Sequence, residues 1–91
     1  MIEFHEISQA SEWRATVAPL RMLWLRRTDK GWYGQANTVL IFTMSSAAEL
    51  EQAQMAFVAK AVEVWPEHAD ALQVWLDAHN DEQDEEGRAA E

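Results

Sequence analysis

The apolar pattern changes its period at Ser45-Ser46, and that change limits what this chain can fold into. Upstream, Thr38-Val39-Leu40-Ile41-Phe42-Thr43 is the strongest strand signal, rich in β-branched and aromatic residues. Downstream, Leu50, Phe57, Ala61 and Trp65 recur at helical spacing, and Ala69, Leu72, Trp75, Leu76 and Ala78 form a second such set. Strands followed by helices indicate an α+β domain with an antiparallel sheet. With 91 residues there is room for one core.

The expected elements follow from local signals. Ile2, Phe4 and Ile7 alternate imperfectly with Glu3, His5 and Glu6, as a short edge strand or a lead-in would. Ser8 or Ser11 caps a short N-terminal helix over about 9–18, with Trp13 and Val17 on one face and Pro19 as its stop. The sheet is expected to have two to four strands, at about 20–27, 31–35 and 38–44. In the first, Leu20, Met22, Trp24 and Arg26 point one way and Arg21, Leu23, Leu25 and Arg27 the other. Thr28-Asp29-Lys30-Gly31 is a turn, and Gly34-Gln35-Ala36-Asn37 a bulge or second turn. The last strand is apolar without alternation. It is therefore expected to be central and covered on both faces, or covered by helix on one face and by a partner on the other.

Two helices, about 46–65 and 66–79, pack on this sheet, the first opened by a Ser46-to-Glu49 capping box. Pro66 either starts the second helix or kinks one long helix. The cost of an interior proline, about 3 kcal/mol, favours two. The domain spans 1–80, and the tail 81–91, without a large apolar residue, is expected to be disordered.

Charge divides along the same boundary. Trp13 to Met44 holds five basic residues and one acid, whereas Ser45 to Asn80 holds six acids and one base. The tail adds six acids against Arg88, and the whole chain carries −9. On a continuous helical phase, Glu49, Glu63, Glu67, Asp70 and Asp77 fall within about 80° of one another, opposite the apolar side. Solvated helix faces normally mix signs, because opposite charges at i, i+4 are slightly stabilising. A single-sign ridge instead suits a basic partner, such as a nucleic-acid-binding protein.

Chemistry is conspicuously sparse. With no Cys there is no thiol nucleophile, disulfide or Cys-based metal site. Gly31, Gly34 and Gly87 fit no phosphate-binding spacing, and no serine sits in a nucleophile elbow. His5, His68 and His79 form no i, i+4 pair. The expectation is a non-enzymatic cytoplasmic protein with no metal or other cofactor, no signal peptide and no membrane span. Its function is expected to be that of an interaction or inhibitor protein, of the accessory, phage-borne, immunity or antitoxin-like kind, binding a protein partner through its acidic helices. Two alternatives stand beside it. One is a self-associating subunit, a homodimer in the simplest case, suggested by five Trp in a small chain. The other is a single-stranded nucleic-acid binder using Arg21, Arg26, Arg27, Trp32 and Tyr33, which the net charge disfavours. The candidate partner-binding residues are the five acids above with Arg26, Arg27, Trp32 and Tyr33.

Overall fold

A computed structural model describes residues 2–9 and 11–90, with side chains described as far as His79. Five strands, β1 (Phe4–Ser8), β2 (Glu12–Ala18), β3 (Arg21–Thr28), β4 (Gly31–Ala36) and β5 (Val39–Met44), form an antiparallel meander in sequence order. Two helices follow, α1 (Leu50–Val64) and α2 (Ala69–Ala90), joined through Trp65 and a 3-10 turn, Pro66–His68. The sheet therefore exceeds the expected two to four strands, and β2 occupies most of the stretch, about 9–18, expected to form an N-terminal helix. The expected tail, 81–91, lies outside the residues whose side chains are described.

The physical reason for β2 is its period. Trp13 and Val17 are compatible with helical spacing, but Trp13, Ala15 and Val17 also alternate with Arg14 and Thr16, and the burial follows that alternation. Pairing with β3 then completes the strand, with Trp13 opposite Leu25 and Ala15 opposite Leu23. Ser8 and Ser11, read as helix caps, sit at the β1–β2 connection instead, where the Ser11 N–H donates to the Ser8 carbonyl at 3.1 Å.

One face of the sheet carries the core. Trp13, Ala15, Leu23, Leu25, Trp32 and Ala36 are buried there beneath Ala53, Phe57, Val58 and Ala61 of α1 and Leu72, Trp75 and Leu76 of α2. Phe57 is the central plug. Its ring stacks on Phe42 at 5.6 Å, lies 6.4 Å from Phe4, and rests on Gly34, where a Cβ would fall 2.6 Å from the ring. Phe4 in turn meets Trp75 edge-on at 5.6 Å, which ties β1 to α2.

β5 is an edge strand, which overturns the first of its two expected settings, central and covered on both faces. Its pairing with β4 slips between Gly34 and Gln35, so that Ile41 is an extra residue. The bulge explains the missing alternation: Ile41 and Phe42 both pack against the core, while Leu40 and Thr43 lie on the opposite face. The break at Trp65 (φ −121°, ψ 70°) confirms two helices, with Pro66 opening the 3-10 turn. The cap of α1 lies three residues beyond Ser46. Glu49 is the N-cap, and its N–H donates to Gln52 Oε1 at 3.0 Å in a reciprocal capping box.

Candidate interaction surface

Among the described residues, no layer covers the second face of the sheet. Register places its residues in two cross-strand rows. His5, Arg14, Trp24, Gln35 and Leu40 form one, and Glu12, Arg26, Tyr33 and Thr43 the other. Met22 opposite Thr16 begins a third. Between these rows runs a groove of about 340 Å³ lined by Glu12, Trp24, Arg26, Thr28, Tyr33, Gln35 and Leu40. A second depression of about 200 Å³ lies against Leu20, Met22, Trp24, Asn37 and Thr38. Trp24 lines both, so the two depressions adjoin at its side chain, and together they are called the trough.

Trp24 is the exception among the tryptophans. Trp13, Trp32, Trp65 and Trp75 are all buried in the core, whereas Trp24 is only half-buried and lies on the uncovered face. Its indole Nε1–H is shielded and has no hydrogen-bond partner among the described residues. An unpaired buried donor costs about 1–3 kcal/mol. Arg26 on the rim pairs with Glu12 at 3.5 Å, while Arg14, exposed beside Trp24, has no ion-pair partner among the described residues.

At one end of the trough the β2–β3 turn holds Leu20 at φ 65° with 89% of its surface exposed. Pro19 before it supplies the fixed φ of a turn whose second central position normally takes Gly. A Leu there is strained by about 1–2 kcal/mol. Nothing in the fold recovers that strain, because the side chain projects into solvent. Leu20→Gly is accordingly expected to raise stability by about 0.5–1 kcal/mol after the flexibility of glycine is counted, read as a higher denaturation midpoint. A loss of stability would show that Leu20 makes contacts outweighing the strain. Asn37, at φ 56°, has its conformation supported: its Oδ1 accepts from the Met22 N–H and its N–H donates to the Met22 carbonyl, at 2.9 and 2.8 Å.

The residues singled out from sequence are dispersed. Trp32 is fully buried, donates its Nε1–H to the Ala48 carbonyl at 2.9 Å, and touches Trp13 at 5.5 Å. It is a core residue and offers no partner surface. Arg27 lies over the Trp32 ring at 5.1 Å and donates to the Ser46 carbonyl at 3.1 Å. Arg21 lies over Trp65 at 5.7 Å. These cations close the two ends of the covered face. Only Arg26 and Tyr33 belong to the open face.

The break at Trp65 ends the continuous helical phase on which the five acids align. Glu49 caps α1, Asp77 accepts from Gln73 Nε2 at 3.0 Å, and Glu63 pairs with Lys60 at 3.0 Å. Glu63, Glu67 and Asp70 remain together around the turn between the helices, all exposed.

A wider, shallow depression of about 400 Å³ lies between the N-terminal strand and α2. Its aromatic side chains are already engaged, Trp75 stacking on His79 at 3.8 Å and meeting Phe4 edge-on. No group of three or more metal-ligating side chains occurs among the described residues. Among those same residues no helix is long and apolar enough to cross a membrane. No protein-family model, no curated protein and no solved structure matches this chain.

Proposed function

We propose that this protein is a non-enzymatic binding domain that captures a protein partner on the uncovered face of its sheet. The observation that carries this reading is the position of Trp24: four tryptophans are spent on the core, and the fifth lines an open trough with Tyr33, Leu40 and Met22. Trp, Tyr and Arg are the residues that anchor interfaces, within a rim of polar groups. Here Glu12, Arg26, Thr28 and Gln35 supply that rim. The partner that fits is a segment with a large apolar side chain for the trough and a carboxylate for Arg14.

A second reading rests on Glu63, Glu67 and Asp70 at the turn between the helices, an exposed acidic corner suited to a basic partner. One comparison separates the two. Partners captured from source cells by the wild-type chain are compared with those captured by Trp24→Ala and by a triple charge reversal, Glu63→Lys with Glu67→Lys and Asp70→Lys. The trough reading expects the specific partner to vanish with Trp24→Ala, at unchanged circular dichroism, and to persist with the triple reversal. The opposite pattern moves the partner site to the helices. Leu20→Gly, which relieves the turn, is expected to weaken capture while it stabilises the fold.

A further inference from the structure

The two free edges of the sheet are chemically unlike. β1 is short, carries His5 and Glu6, and slips register with β2 between Glu6 and Ser8. Charge, brevity and irregularity are the devices by which edges avoid pairing with other chains. β5 has none of the charge. From Gly31 to Ala48 eighteen consecutive residues carry no charged side chain, in a chain that is 25% charged. Val39 and Leu40 on that edge are 61% and 52% exposed. Alternate backbone N–H and C=O groups of β5 point away from β4, toward whatever lies beyond the edge.

We infer that the β5 edge pairs antiparallel with the β5 edge of a second copy of this chain, joining two meanders into one ten-stranded sheet. Charge identifies the occupant. A twofold contact sets a patch against itself, so any charge near the axis would meet its own sign. An uncharged strand suits that geometry, and it offers no handle by which a foreign strand would be steered to a chain of −9. The Ile41 bulge has an internal cause, the packing of both Ile41 and Phe42 onto the core. It divides the edge into Val39-Leu40 and Phe42–Met44, so few ladder bonds form and the dimer is weak and concentration-dependent. Leu40 lines the trough, so pairing brings the troughs of the two copies side by side.

The test uses the full chain. Sedimentation from low to high micromolar concentration is expected to show the mass rising toward twice the monomer's. Amide hydrogen exchange over the same range is expected to show added protection in β5. Val39→Lys with Thr43→Lys, both at exposed positions, is expected to weaken the dimer by about tenfold or more at unchanged circular dichroism, while Trp24→Ala leaves it intact. A strict monomer at every concentration overturns the inference. So does a dimer whose added protection falls on β2 and β3 and which Trp24→Ala dissociates. The wild-type exchange pattern decides alone if the lysine variant fails to fold.

Discussion

Gly34→Ala is expected to destabilise this domain by about 3 kcal/mol, the upper part of the range for overpacking a core. One added methyl group would lie 2.6 Å from Cδ1 and Cε1 of Phe57 and 3.0 Å from Cγ, closer than carbon atoms approach. Relief requires one of them to move. The Phe57 ring is fully buried and held between Phe42 and Phe4, so it has no free rotamer to adopt. Gly34 sits in β4, which is paired on both sides with β3 and β5, so its backbone cannot retreat without breaking a ladder. A domain of this size has on the order of 5–10 kcal/mol in total, so the loss is a large share. The check is urea denaturation of Gly34→Ala, Phe57→Leu and the double variant. Shrinking the ring makes room for the methyl group, so the double variant should be clearly more stable than the sum of the singles predicts. Strict additivity would mean that the two groups do not collide.

Much of this architecture is legible in the sequence where two signals agree. The order of strands before helices, the alternation of β3 and the helix break at Pro66 each rest on spacing together with a breaker or turn residue. The failures occur where a short segment fits two periods. Trp13 and Val17 are four apart, which satisfies a helix and a strand alike. Only the β-branched pair Thr16-Val17 and the exposed Arg14 favour the strand. β5 misleads for another reason: a bulge lets consecutive residues share a face, so a continuous apolar run no longer signals two covered faces.

The candidate site depends on register even more than on secondary structure. The two-residue turn Asp29-Lys30 pairs Thr28 with Gly31, hence Arg27 with Trp32 and Arg26 with Tyr33. A shift of one residue would exchange the faces of every side chain on β4. The assignment of Trp32 to a partner surface and the neglect of Trp24 come from that ambiguity. The strand itself held the better clue. Leu23 and Leu25 supply one apolar face of β3, and Met22 and Trp24 supply a second, more than a half-covered strand needs. The charge division also acquires a physical account: most of the basic half is consumed internally, with Arg21 and Arg27 over core indoles and Arg26 on Glu12.

The two faces predict opposite behaviour for two tryptophans eight positions apart. Trp32→Ala is expected to cost about 4 kcal/mol, in the range for removing a fully buried aromatic ring, and to leave only a narrow margin of stability at ambient temperature. The ring is fully buried, its loss leaves a void beside Trp13 and strips the Arg27 guanidinium of the surface it covers. Trp32→Phe isolates the polar contribution. It retains most of the apolar volume but deprives the Ala48 carbonyl of its donor just before the α1 cap, so about 1–2 kcal/mol is expected for the lost bond and the unfilled space. Trp24→Ala, by contrast, is expected to change stability by about 1 kcal/mol or less. It removes a half-buried ring and, with it, a shielded donor that has no partner among the described residues, so the lost packing is offset by the relieved desolvation. Chemical denaturation of the three variants measures these differences directly. Equal losses at Trp24 and Trp32 would mean that the second face of the sheet is covered in the folded protein, and would remove the basis for a binding trough. A large loss at Trp32 with a small one at Trp24 leaves the outer indole free of a structural task, as a side chain kept for a partner should be.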